Sequence, residues 1–575
     1  MATTFILDIG NRDYTEWSLC AASINAQPPL ISPAFANLFH RDVIDQQGNL
    51  VHSPYRHKSE ICGVLLTSEK SYGRFKGGKL LYKCVPDDIH LPCFLIPYEE
   101  KELGFSKVKK NKYITFTIKE WTDQNKHPIG TLTNTIGDVD EKEAYETYQL
   151  TCKEINPTLK QLNAGSLRAL RENTLHPIPF SMAGTTFEDR RDYSIISIDP
   201  AGCTDIDDAL GIKQQNGITI LSIYISNVPM MLEYLKLWPL LTSRVATIYL
   251  PDKKLPMLPI SLSENVCSLR EKEPRLAFAL DVHIKEKQII DISCKQVIIK
   301  VEKNYAYDDH ELLLREDYKS IFKTVCELNH TQTRKIKNLK YVDTITSSHE
   351  VVEYCMLLMN HECAKMLEER GKGIFRSATK RPFENTGTAE TEAEDYEELP
   401  SGLKHILQNV SGEYCLYEKM KPHDLIAGGL DCYTHITSPI RRLVDCINML
   451  YLQEETFHWS AEAWAFLDKW ETQGGIDSIN AKTKAVRRIQ NQMELFELYE
   501  KNNQQMYTGI VFAKTACKAQ AKQCKYKYKA YIRSLKLLTS VVTTKNIRDY
   551  STVDFSVHLF MDETKMAKKV RLQLI

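Results

Sequence analysis

"YSIISIDPAGCTDIDDAL", residues 193–210, is the stretch on which the reading of this chain turns. The run "YSIISI" alternates as a strand does, and four aspartates, Asp199, Asp205, Asp207 and Asp208, follow within ten positions. Two carboxylates about 4 Å apart repel by roughly 1 kcal/mol in water and about 4 kcal/mol at a dielectric near 20. So much like charge in one loop either splays into solvent as an aspartate-rich turn or surrounds something cationic. Pro200 and Gly202 punctuate a turn rather than a helix, so the loop is able to fold back and aim its carboxylates at one point. Oxygen-only ligands suit a hard ion such as magnesium, which takes one or two carboxylates per ion, so four carboxylates fit two ions. An EF-hand is excluded, because neither its D-x-[DN]-x-[DN]-G spacing nor its twelfth-position glutamate is present.

Around this loop, 575 residues with 43% hydrophobic side chains predict roughly three to four domains with real cores. Net charge is zero, yet residues 501–575 carry 15 Lys and Arg against 4 Asp and Glu. There "CKYKYKAYIR" (524–533) interleaves bases and aromatics, as a groove with stacking platforms for nucleic acid does; an ordinary solvated basic strand is the alternative. Sixteen cysteines form no C-x-x-C pair, which argues against a zinc ribbon or thioredoxin-like site and for reduced, intracellular thiols. The N-terminus lacks the pattern of a secretory signal, and no stretch approaches 18 uninterrupted apolar residues, so no membrane partner is expected.

Residues 1–60 show neither periodicity nor motif and are left unassigned. From 61 to 160, β-rich runs such as "LLYKCV", "PCFLIPY" and "KYITFTIKEW" predict a small barrel. Within it "GRFKGGKL" (73–80) imitates a P-loop but ends in Leu80 where Ser or Thr must hold magnesium, so a hairpin turn is expected. Residues 175–300 alternate strands and turns, and 350–500 are mainly helical. Val351, Tyr354, Met356, Leu358 and Met359 predict a largely buried helix, and Val486, Ile489, Met493 and Phe496 an amphipathic one. The acidic run "TAETEAEDYEEL" (388–399) reads as a solvated loop or helix face. Strand-like alternation returns after 501 and predicts another barrel.

Three blocks in order carry a resemblance: "IDPAGCTDIDDA", the stretch "YLPDKKLPMLPISLSENVCSLREKEPRLAFALDV" (249–282), and "YTHITSPIRRLVDCIN" (433–448). The chain resembles the RNase II/RNase R family of 3'-to-5' exoribonucleases, whose catalytic module is the RNB domain. Around residues 91–121 it leans toward the eukaryotic, exosome-type branch, without the PIN endonuclease domain found in some of those nucleases. The resemblance implies a multidomain α+β protein: a cold-shock-like OB domain at 61–160, a mixed α/β RNB catalytic domain at 175–500, and an S1-like OB domain at 501–575. The family has two N-terminal OB folds, so the other one would be shortened within residues 1–75.

Carried over position by position, Asp199, Asp205, Asp207 and Asp208 match the metal-binding and catalytic aspartates. Tyr249 matches the aromatic that stacks on the base at the RNA 3' end. Arg441 matches the arginine at the scissile phosphate, and Arg442 is read as a structural or phosphate-positioning neighbour. Glu494 matches the helix glutamate near the site. Tyr249 as a strand core residue and Glu494 as an exposed helix charge are the competing readings. The sequence departs from the family at Tyr224, Asn227 and Met449, none of them a metal-ligand position. The resemblance implies a monomeric, processive exoribonuclease that hydrolyses single-stranded RNA to 5'-nucleoside monophosphates with two Mg2+ ions, or Mn2+ in their place. It would act in the cytoplasm or nucleus, with an RNA-decay complex as a candidate partner. The rivals are a deoxyribonuclease or phosphodiesterase on the same metal pair, and a catalytically inactive RNB-fold RNA-binding protein.

Overall fold

The alternating run before the aspartates folds as the strand Ile195–Asp199, and its partner Asp208–Gln215 begins where the acidic loop ends. These two strands sit in a mixed seven-stranded sheet. Its order is Glu188–Arg190, Gln288–Lys300, Pro274–Lys285, Ile218–Ser226, Asp208–Gln215, Ile195–Asp199 and Lys303–Ala306. The two outermost pairings are parallel and the rest antiparallel. The computed structural model describes residues 4–21, 29–75, 78–99, 109–122, 126–173, 178–179, 181–335, 341–378, 403, 412–424, 429–501, 506–516, 526–535, 537–562 and 566–575. The acidic run 388–399 lies outside the described residues, as do Lys76 and Gly77 of the P-loop look-alike and the first two residues of the basic stretch 524–533.

The chain divides into two compact units, Ile155–Gln490 and the pair of segments Met1–Glu154 and Asn491–Ile575. In the first, the central strands are buried over most of their length, and one continuous apolar core joins a sheet face to the helices. Helix Ser348–Glu369 buries Val351, Tyr354, Leu358 and Met359 as the pattern requires, with Met356 half-buried, and Glu350 accepts the Ser347 N–H at its start, 2.7 Å away. Helix Leu443–Gln453 is buried on every side, Met449 included. The other two departures also have structural work. Tyr224 lies buried with its ring 5.8 Å from the Arg190 guanidinium, which forks onto Asp281 at 2.8 and 2.6 Å. Asn227 caps helix Val228–Tyr234 and donates to Gln453 Oε1 at 2.7 Å.

In the second unit, residues 61–138 form a closed five-stranded barrel around Leu65, Phe94, Ile96, Ile114 and Phe116. The described ends of the P-loop look-alike pair as the arms of a hairpin, with Arg74 bridged to Leu80 and the Phe75 N–H donating to the Lys79 carbonyl. The first sixty residues, silent in sequence, make a four-stranded sheet on a small core of Phe5, Leu7, Ile9, Leu38 and Ile44. The C-terminal segment is a five-stranded antiparallel sheet, and the end of helix Gln473–Lys501 packs Leu495 into its core. Among the described residues no helix is long and apolar enough to cross a membrane.

Candidate active site

The acidic loop is shaped by its own turn and by a clamp from the second block. Gly202 takes a left-handed φ of 80°, and the Cys203 N–H donates back to the Pro200 carbonyl at 3.1 Å. Ser268, of "CSL", receives the Ile206 N–H at 3.1 Å and donates to the Thr204 carbonyl at 2.8 Å. The third block closes over the loop: the Ile440 N–H donates to Asp207 Oδ1 at 2.9 Å, and Arg441 Nε lies 3.2 Å from Asp207 Oδ2. Backbone pairing of Thr247 with Arg441, and of Leu443 with Val245, sets the hairpin Ile248–Leu255 beside that arginine. Tyr249 projects from it 42% exposed, which sets aside a role in the core. Burial raises its hydroxyl pKa, with Asp205 and Asp207 adding to the rise and Arg441 opposing it.

The carboxylates feel one another. Burial pushes Asp207 up to about 7, against the pull of Arg441. Burial takes Asp199 to about 6, with Ser197 and Arg441 opposing and Asp205 adding. Asp208 is driven well above the ordinary aspartate range by burial and by the charges of Asp199 and Asp207. Such a group shares protons at neutral pH unless a cation takes their place.

The four aspartates are not equivalent. Asp205 is occupied by Lys254, whose ammonium lies 3.0 Å from it and 2.7 Å from Glu264. Asp199 keeps a buried Oδ2 that accepts nothing. Among the described residues no three His, Cys, Asp or Glu side chains form a ready-made metal cage. The hard-oxygen donor set and the orphaned Asp199 oxygen nevertheless suit a divalent cation between Asp199 and Asp208, with Asp207 alongside. Arg442 turns away to Asp445 at 2.8 Å. Glu494 is exposed on helix Gln473–Lys501, in the part of that helix that belongs to the other unit.

Two neighbours escaped the sequence reading. Lys254 stands in "PDKKLP", where the charge pattern carries no sign of its ion pairs. Tyr307 donates its N–H to the Asp199 carbonyl at 3.1 Å, and its hydroxyl pKa is pushed up to about 12 by burial and then by Asp208 and Asp199. Nothing in "KNYAYDDH" marks it.

Comparison with known proteins bears on the family and the fold. The RNB domain profile matches residues 187–332 and 319–457, and the Dis3-like cold-shock domain 2 profile matches 81–150. The chain belongs to the RNB-domain family, the family of RNase R and the Rrp44/Dis3 exonucleases. It is 25% identical over 465 residues to the probable exosome complex exonuclease RRP44 of Caenorhabditis elegans, covering 68% of this chain and 46% of that one. With ribonuclease R of Helicobacter pylori it shares 25% identity over 365 residues, 54% of this chain and 56% of the relative. The chain thus spans about half the length of these curated relatives. In fold it is similar to apo Mycoplasma genitalium RNase R, with TM-score 0.66 and 14% identity over the whole of both chains. It is also similar to yeast Ssd1, a pseudonuclease, with TM-score 0.59 and 13% identity, covering 94% of this chain and 78% of the other.

Proposed function

We propose that the chain is a metal-dependent 3'-to-5' exoribonuclease that hydrolyses single-stranded RNA processively to 5'-nucleoside monophosphates. The observation that carries this reading is the convergence of Asp199, Asp207 and Asp208 with Arg441 and Tyr249 in one RNB domain. Asp199, Asp207 and Asp208, joined by Asp205 when Lys254 releases it, would hold two divalent cations, Mg2+ or Mn2+. Such a pair supplies charge stabilisation to the attacking and leaving oxygens of an in-line displacement. Arg441, anchored by Asp207 and donating to Ser438 Oγ at 3.0 Å, keeps the rest of its fork for a phosphate oxygen. Tyr249 offers a ring face to the terminal base, a contact that tolerates any sequence. Arg442 acts by positioning: it and the Ser438 N–H both bond Asp445, which fixes the turn bearing Arg441. Glu494 keeps the role that the family resemblance gives it, a catalytic helix glutamate.

The likeness to RRP44, named as part of an exosome complex, extends the proposal to membership of an RNA-decay complex, with the chain itself a monomer. Free thiols at every described cysteine suit a cytoplasmic or nuclear setting.

One observation favours the inactive RNA-binding alternative: Lys254 on Asp205 puts an ammonium where a cation would sit. The test is incubation of the protein and its Asp207→Asn variant with 3'-end-labelled single-stranded RNA, with magnesium or EDTA. Immediate release of labelled mononucleotide, absent in EDTA and in the variant, supports the nuclease. Tightly bound, unshortened RNA supports the binder, and shortening of DNA alone supports a deoxyribonuclease.

A further inference from the structure

The hairpin that carries Tyr249 is tied down by its own cross-strand neighbour. Tyr249 and Lys254 stand opposite each other, and the Leu250 N–H donates to the Lys253 carbonyl at 2.9 Å to close the turn between them. Residues directly opposite in an antiparallel pair project to the same face, with Cβ atoms about 4.5–5.5 Å apart, so ring and ammonium leave the ribbon on one side. The ammonium shows what that side faces: Lys254 Nζ lies 3.3 Å from Thr204 Oγ1, 3.0 Å from Asp205 Oδ1 and 2.7 Å from Glu264 Oε1. An ammonium has three N–H donors, and its three acceptors here come from the acidic loop and from the short helix Leu262–Val266 of the second block. The Lys254 side chain is 26% exposed and that of Asp205 9%, so the pair is not one of the open surface, where such contacts are worth little. From another direction, Gln490 of helix Gln473–Lys501 donates to the Tyr249 carbonyl at 3.0 Å.

The two carboxylates under that ammonium are not alike. The reading above gives Asp205 to the cations, whereas Glu264 stands 59 positions further along the chain and outside the four aspartates. A divalent ion and an ammonium compete for the charge of one carboxylate, because like charges held close together repel. Glu264 is half-buried at 23% exposure and holds the shorter of the two ion pairs.

We propose that Lys254 is the positioning residue for Tyr249, with Glu264 as its standing anchor. The ammonium fixes the hairpin so that the ring stands where the terminal base of the RNA lands, and Glu264 keeps it there when Asp205 goes to a divalent ion. This rests on the reading of Tyr249 and of the cations given above and adds two residues to it. Base platform and cation site then share one loop without either giving way to the other.

The test is binding of 5'-labelled single-stranded RNA by fluorescence anisotropy, in EDTA and in saturating Ca2+, a hard cation that also takes oxygen ligands, with the RNA shown by gel to stay full-length. Each protein is titrated with RNA ending in an ordinary nucleotide and with RNA whose 3'-terminal residue is abasic. Lys254→Met is expected to raise Kd about fivefold for the ordinary end in both conditions, the lower worth of one base–aromatic stack, and to leave the abasic end unchanged. In a Tyr249→Ala background it should cost nothing further, because it acts through that ring. Lys254→Arg, which keeps the charge, should bind the ordinary end more tightly than Lys254→Met. Glu264→Gln should stay close to the wild type in EDTA, where Asp205 still holds the ammonium, and should fall to the level of Lys254→Met in Ca2+. A folding defect would weaken both ends alike and would not wait for Ca2+. Equal losses of Lys254→Met on both ends, or a Glu264→Gln variant whose ratio to the wild type is the same in EDTA and in Ca2+, overturns the proposal while leaving RNA binding intact. A wild type that binds no RNA, or binds both ends equally, removes the reading of Tyr249 and this one together.

Discussion

Replacing Asp207 by asparagine probes stability and chemistry at once. Asp207 is 3% exposed, bonded to the Ile440 N–H and to Arg441, and its carboxyl sits at about 7 instead of 3.8 because burial outweighs the arginine. A carboxyl moved that far carries about 4 kcal/mol of bias against its ionised form. Because the folded value is raised, the associated stability is present below 3.8 and is lost as pH rises through about 7. The amide of the Asp207→Asn variant would keep the acceptor for Ile440 and never ionise, so the variant lacks this loss. Asp199 and Asp208 titrate in both proteins. The stability difference, variant minus wild type, should therefore climb by about 4 kcal/mol between pH 4 and pH 8 in the variant's favour. Urea midpoints in EDTA at four pH values read it directly. Adding magnesium at pH 8 should narrow the gap, since the wild type alone keeps the anionic ligand, and RNA hydrolysis by the variant should fall at least about a hundredfold. A difference that stays flat across pH would refute the claim that the buried anion is strained without a cation.

Arg190→Met strands Asp281, 4% exposed, without its forked partner and should cost about 3–5 kcal/mol in urea unfolding, with much of that recovered when Asp281 is made leucine as well. Tyr249→Ala should weaken single-stranded RNA binding in EDTA by about five- to a hundredfold, the worth of one base–aromatic stack, while Tyr249→Phe stays near wild type by anisotropy. Lys254→Met removes the ammonium shared by Asp205 and Glu264 and should tighten Mn2+ binding about tenfold by calorimetry; weaker binding would mean that the lysine shapes the loop instead of competing for it.

The legible parts of this protein are those written in short stretches of chain. Alternation in "YSIISI" marks the strand Ile195–Asp199, Pro200 and Gly202 mark the turn, and Val486, Ile489 and Met493 mark a helix face. The first sixty residues stayed silent because their strands are two to five residues long, too short for a period to show. Tyr224 and Asn227 read as departures from a family pattern, and only coordinates show them as the neighbour of Arg190 and the cap of a helix.

By itself, then, the sequence determined the local elements, the acidic turn and, through three ordered blocks, the family. Tertiary structure decided which charges meet. Arg441 reaches Asp207 across 234 residues, Lys254 reaches Asp205 across 49, and Arg376 lies against the ring of Tyr414. Local spacing sets the backbone period, whereas the pairing of ionised side chains depends on which strands and turns pack together. Burial then multiplies each pairing or its absence into the proton affinities of the site.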